Sequence, residues 1–361
     1  MSSPLLYIAG MGMITPLGPS VATTVAAVNA GISAYTLSEY DTPEGEPITM
    51  ARVPDGVFED IEAKIDEGDR FNPRHDRLIK MAITAIREAC HQRSTEQAVP
   101  VILGLSERAC DKDGLSSLVE NLQENCKPWI STLLSRSLYS GRAAGLEAID
   151  FSFRYLYQLE HSFVLVGASD SYMDDELLQP LASEQRLLTP GASDAFAPGE
   201  AASFLLLTRH PELAENRNGF AIALHPPGMA EEEGHLYSDA PYRGDGLDQA
   251  FKKALLNQPE HDIHSIYSSM NGENHWAKEY GVAYLRSKQK FIEKVKIEHP
   301  ADCYGDLGAA TATTLIALAA EHLHKDKNAQ KHLVYSSSDF GKRGAIVVEK
   351  VRIDNKVELK V

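Results

Sequence analysis

Continuous apolar runs of strand length constrain this chain more than any other feature. Val99 to Leu105 and Phe163 to Val166 lack the polar alternation of a half-exposed strand, and Ala201 to Leu207 repeats the strand signal. Runs of this kind mark sheet covered on both faces, which requires helices layered above and below it. The chain supplies them. Leu78, Met81, Ala82, Ala85, Ile86 and Ala89 recur at helical spacing between Arg77 and Cys90 as one buried stripe. Ala309 to Leu323 is an alanine-rich helix able to approach a neighbour closely. Leu5 to Gly10 opens the chain as a strand, and Thr15-Pro16-Leu17-Gly18 turns it into a helix from Ser20 to Asn29 that Thr15 or Ser20 would cap. Ile263 to Tyr267 and Ile346 to Val348 add further strands. The pattern predicts a layered α/β core.

Residues 36 to 70 are acidic and turn-rich and read as a surface excursion. A strand, glycine turn and helix open the chain and recur in its second half, which suggests a duplication with halves 1–215 and 216–361 joined through Pro211 to Gly219. With 361 residues, 43% of them hydrophobic, the chain can bury a large core. Lys and Arg number 35 against 51 Asp and Glu, a net charge of -16. No global cationic field exists to displace counterions from phosphates, so nucleic acid is not an expected partner. There is no apolar run of membrane-spanning length, and Met1-Ser2-Ser3-Pro4 lacks a basic region followed by an apolar one, so the expectation is a cytoplasmic protein without a membrane partner. Cys90, Cys110, Cys126 and Cys303 show no CxxC spacing and read as reduced thiols.

Six segments in chain order resemble β-ketoacyl synthases of the thiolase fold. They are Ile8 to Gly18 (IAGMGMITPLG), Arg74 to Ala82 (RHDRLIKMA), Val164 to Asp170 (VLVGASD), Phe196 to Ala202 (FAPGEAA), Leu307 to Ala310 (LGAA) and Ser338 to Gly341 (SDFG). The resemblance implies a thiolase-like α-β-α-β-α fold built from two similar halves. It also implies places for a nucleophilic cysteine and two histidines. The nucleophile position falls on Leu138, and a one-residue slip offers Ser137 or Tyr139; the first histidine position falls on Asn271 and the second on Asp306, or on Gly305 with one gap. Leucine has no lone pair for a carbonyl carbon, asparagine cannot shuttle a proton at neutral pH, and an ionised aspartate repels a developing oxyanion. A ketosynthase-like protein lacking its catalytic set is expected: a pseudoenzyme acting as a non-condensing binding, partner or adaptor protein, with no cofactor. The alternative is an acyltransferase or thioester hydrolase that uses Cys303 or Ser137.

Around the degenerate site, Tyr139, Ser140, Arg142 and Phe340 are expected to line the pocket, Phe340 at the family's gating position. Arg142 is expected to pair with Asp170 or Glu200 and plug the cavity. Cys303 would have Asp306, Asn271 or His275 as neighbours. His261, His264 and His275 with Glu273 do not have the spacing of a closed zinc site, so no metal is expected. The resemblance further implies that Arg70, Arg74, Arg77 and Lys80 receive an acidic acyl carrier protein, and that the chain forms a homodimer, or a heterodimer with a related subunit in the manner of chain-length-factor subunits.

Overall fold

The computed structural model describes residues 4–64, 73–91, 98–109 and 118–353. The first half runs β1 (Leu6–Ile14), α1 (Val21–Asn29), β2 (Tyr35–Asp41), β3 (Pro47–Ala51), α2 (Pro73–Cys90), β4 (Val99–Gly104), α3 (Leu118–Asn125), β5 (Ile130–Leu138), α4 (Ala144–Tyr157), β6 (Val164–Ser171), α5 (Asp175–Ser183) and β7 (Glu200–Thr208). The second runs β8 (Phe220–Leu224), β9 (Gly228–Glu231), α6 (Asp245–Ala254), β10 (Ile263–Ser268), α7 (Asn274–Ser287), β11 (Phe291–Glu298), α8 (Ala301–Tyr304), α9 (Thr311–Lys325), β12 (Lys331–Ser337) and β13 (Lys342–Arg352).

Among the described residues the main sheet follows the order β11-β10-β12-β13-β8-β1-β7-β6-β4-β5, with β9 paired to β13. Leaving aside the β2–β3 hairpin and β9, each half contributes five strands in the same spatial order, third-second-fourth-fifth-first. Directions repeat as well. In each half the second strand is parallel to its two neighbours, and the fourth, fifth and first are antiparallel in turn. The halves meet where Leu6 and Tyr7 pair with Leu224 and Ala223. This is the repeated thiolase-like arrangement.

The runs that lack alternation are buried as expected, with every residue of β4, β6 and β7 inside. α2 covers one face of the first half-sheet through Leu78, Met81, Ala82, Ala85 and Ile86. On the other face α4 and α9 form the central layer, whose core joins Leu146 and Ile149 to Leu315, Ile316 and Ala319. The second half-sheet is closed outside by α6 and α7, around Phe251 and Tyr280. Ser20 caps α1 with a capping box, while Thr15 bonds to Thr24 at 2.9 Å. Part of the presumed surface excursion is ordered sheet: β3 turns Ile48 and Met50 inward against Leu178 and Leu181 of α5. No helix among the described residues is long and apolar enough to cross a membrane.

Candidate functional site

The site lies where the N-termini of the two central helices converge. β5 ends at Leu138, whose carbonyl accepts the Leu105 N–H at 2.8 Å, and the chain passes through Gly141–Ala143 into α4. Opposite, Asp306 and Leu307 lead through Gly308–Ala310 into α9. Both approaches depend on a glycine of positive φ. Gly141 (φ 53°) passes Glu107 so closely that a Cβ would stand 2.8 Å from its Cγ, and a Cβ on Gly308 (φ 54°) would stand 2.2 Å from Asp170 Oδ2.

Between these turns the space is filled by charge. Arg142, 4% exposed, donates to Asp306 Oδ2 at 2.6 Å, to Asp339 Oδ1 at 2.6 Å and to the Ser337 carbonyl at 2.8 Å, and its guanidinium lies 4.4 Å from the Trp276 ring centroid. Arg186 donates to both oxygens of Glu273, at 2.7 and 2.9 Å, and to Asp339 Oδ2 at 2.7 Å. Asn271 completes the bridge, giving one amide hydrogen to Asp306 (2.8 Å) and the other to Glu273 (3.0 Å). Trp276 Nε1 donates to Glu273 Oε2 at 2.9 Å, and Gly308 N–H donates to Asp306 Oδ1 at 2.8 Å. Burial would suppress charge here, but ion pairing wins. Against that desolvation, Arg142 and Arg186 hold the Asp339 carboxyl far below its ordinary range, and Arg186 lowers Glu273. The arginines are raised by the same carboxylates despite burial.

Two spaces flank this network. The interior one, among Glu107, Arg142, Asp170, Tyr172 and Asp339, measures about 30 Å³, room for roughly one or two waters. An open cleft of about 500 Å³ lies outside it, lined by Glu107, Ser137, Leu138, Tyr139, Ser140, Glu147, Phe340 and Lys342. Leu138 packs partly against the central core. Ser140 donates to Glu147 at 2.5 Å. Phe340 is 47% exposed and stacks on Tyr237 with centroids 4.9 Å apart.

The structure brings Leu138, Tyr139, Ser140, Arg142, Asn271, Asp306 and Phe340 to this one region, but several sequence expectations need correction. Arg142 pairs with Asp306 and Asp339 rather than with Asp170 or Glu200. Those two are engaged elsewhere, Asp170 by Arg74 at 3.0 Å and Glu200 by Arg77 at 2.8 Å. For the same reason Arg74 (2% exposed) and Arg77 (8%) do not offer positive charge to an incoming protein. Lys80 is half-buried and pairs with Asp76 at 2.9 Å, and Arg70 lies outside the described residues, as does Cys110. Ser137 sits in β5 opposite Leu103, and among the described residues no base is bonded to its hydroxyl. The Cys303 thiol is buried, and burial and Asp302 push its pKa up, the reverse of what a nucleophilic thiolate needs. Among the described residues no three His, Cys, Asp or Glu side chains gather as a metal-binding group.

Sequence reasoning passed over Arg186, Asp339 and Glu107. Asp339 stood inside a quoted motif and could have been found by asking what its carboxylate pairs with. Arg186 and Glu107 carry no local signal, since their partners lie 153 and 232 residues away.

No protein-family model matches the chain, and no curated protein matches it. Solved structures do. The ishigamide ketosynthase/chain length factor aligns over 96% of this chain and 99% of its own, with TM-score 0.70 and 17% identity. The ketosynthase from module 6 of the bacillaene synthase of Bacillus subtilis 168 aligns over 96% and 72%, with TM-score 0.74 and 15% identity. A ketosynthase (ApeO) in complex with its chain length factor (ApeC) from Xenorhabdus doucetiae aligns over 96% and 98%, with TM-score 0.68 and 14% identity. With its repeated five-strand halves and helix-lined centre, the chain has the thiolase-like fold of ketosynthases and chain length factors.

Proposed function

We propose that the protein is a non-condensing, ketosynthase-like partner that binds a related subunit or an acyl carrier protein without joining carbon to carbon. One observation carries this reading: a buried bridge ties Arg142 to Asp306 and Asp306 to Asn271, the two positions that the resemblance assigns to the histidines, and the position it assigns to the nucleophile is an aliphatic Leu138. Condensation requires a nucleophile and groups that support the departing carboxylate. Here both amide hydrogens of Asn271 are committed to carboxylates, and Asp306 presents negative charge already matched by Arg142.

The partner surface is read from β5. Among the described residues it is one of the two terminal strands of the sheet, pairs only with β4 and exposes Leu133 (75%) and Leu134, so its outer edge is a template for pairing with a homologous strand in a homodimer or heterodimer. Both halves, 1–215 and 216–361, would enter such an assembly as one unit. A chain length factor is named in two of the neighbouring structures and an acyl-carrier complex in another, which supports a protein partner.

The test is incubation with malonyl and acyl thioesters. We expect no carbon dioxide release, no condensation product and no acyl adduct on Cys303 or Ser137 by mass spectrometry. Malonyl decarboxylation that disappears on changing one pocket residue would overturn the reading.

A further inference from the structure

We propose that Glu107 is a proton-controlled latch that holds the loop Ser338–Gly341, and Phe340 with it, across the cleft at the end of β5. The setting is the non-condensing site proposed above, but the test reads the loop alone.

Glu107 begins a short turn directly after β4, wedged against Gly141. Its Oε2 accepts the Asp339 N–H at 3.1 Å, and the Phe340 N–H also bonds to the carboxylate. The loop is therefore fastened in two ways. Arg142 and Arg186 grip the Asp339 side chain, at 2.6 and 2.7 Å, whereas Glu107 grips the backbone. Phe340 has little burial of its own to hold it, being nearly half exposed and resting on Tyr237. Glu107 thus fixes the wall that separates the small interior space from the open cleft, and it lines both.

The surrounding charges leave Glu107 as the group that changes. Asp339 stays ionised and Arg142 charged for the reasons given above. Arg108 shares its turn and lies 4.0 Å from Asp339, and Asp170, Glu147 and Lys342 face it across the two spaces. Burial, reinforced by the negative charge of Asp339, pushes the Glu107 carboxyl up to about 7. Above that pH the carboxylate accepts both N–H groups as charge-assisted bonds. Release of the two N–H groups leaves Glu107 wedged against Gly141 and the Asp339 side chain held by Arg142 and Arg186, so the freed carboxyl keeps what raises it, loses the two donors that lower it and binds its proton more tightly; the loop therefore loosens as pH falls.

Global stability runs the other way. The folded chain holds this proton more tightly than the unfolded one, so the group's contribution is fully present below about pH 4.5 and is lost as pH rises through 7. Loop release on acidification is therefore not a sign of general unfolding.

Amide hydrogen exchange, corrected for intrinsic rates, tests the latch on the intact chain. Protection at Asp339 and Phe340 is expected to fall about tenfold between pH 8 and pH 6, while peptides from α9 stay equally protected. In Glu107→Gln, which keeps the shape of the neutral acid, protection should be low at both pH values. The ring of His235 lies 6.1 Å from that of Phe340, so His235→Gln is the control and should keep the native pH response. Flat protection in the native chain, an unchanged response in Glu107→Gln, or loss of the response in His235→Gln would each overturn the proposal.

Discussion

Arg142 shows how a single residue can reorganise a site. A cation at the N-terminal end of a helix is opposed by the helix dipole, and burial adds a desolvation cost. It persists because Asp306 and Asp339 compensate it, and they in turn depend on it. Replacing Arg142 by Met would leave two buried carboxylates without their main partner, and the expected loss of stability is about 3–5 kcal/mol. Urea denaturation would measure it. Adding Asp306→Asn to that variant should recover part of the loss, with a coupling of roughly 0.5–3 kcal/mol; strict additivity would show that the two do not act as a pair. The sequence sufficed to propose Leu138, Asn271 and Asp306 as degenerate positions, because that reading needs only side-chain identity and the resemblance. It did not reveal the network around Arg142. Arg186 and Asp339 meet only after the fold has closed a loop of 153 residues, and no local pattern encodes such a pairing.

Elements were legible in proportion to how uniformly they are buried. β4, β6 and β7 were read correctly because both faces are covered, and α2 because its stripe faces one layer. β5 was missed for the complementary reason. It ends the sheet, Leu133 and Leu134 point outward, and Leu134 takes a left-handed conformation (φ 64°), so neither a buried run nor a clean alternation marks it. Exposed leucines on an edge that is unpaired among the described residues are what an isolated subunit avoids and an assembling one uses. With the native chain dimeric through β5, as proposed, Leu133→Glu is expected to shift the sedimentation profile from dimer to monomer while the melting temperature, extrapolated to low concentration, changes little. A variant that sediments like the native chain would remove β5 from the interface.

At the scale of the whole molecule, buried histidines set the response to acid. Burial is the largest cause holding His332 down to about 3, and His275 and His324 to about 4, each helped by neighbouring positive charge. In the unfolded chain these imidazoles take up protons near 6.5. Their contribution to stability is therefore present above pH 6.5 and is lost as pH falls toward 4. Glu107 opposes this trend over part of the same window, since its raised carboxyl favours the folded state as pH falls. His322 is lowered as well, and burial also raises the carboxyls of Glu88, Asp150, Asp170 and Glu279; the share of the histidines is a drop in melting temperature between pH 7 and pH 5. His332 is the most deeply buried of the three, its Nδ1 has no hydrogen-bond partner, and its ring lies 5.4 Å from that of Tyr267 between β10 and α9. His332→Phe keeps the ring contact and removes the titration. By calorimetry that variant should lose stability less steeply below pH 6.5 than the native chain, by about 1.4 kcal/mol for each pH unit at most; an unchanged slope would mean that acid acts elsewhere. The position of His332 gives the measurement a second use. His322 and His324 lie in the last turn of α9, whose first turn follows Asp306, so a 15-residue helix of roughly 22 Å separates the packing around His332 from the Arg142 network, beside which His275 lies. Acid lability that is cured at His332 while the Glu107 loop still responds to pH would show that the two ends of the central helix titrate independently.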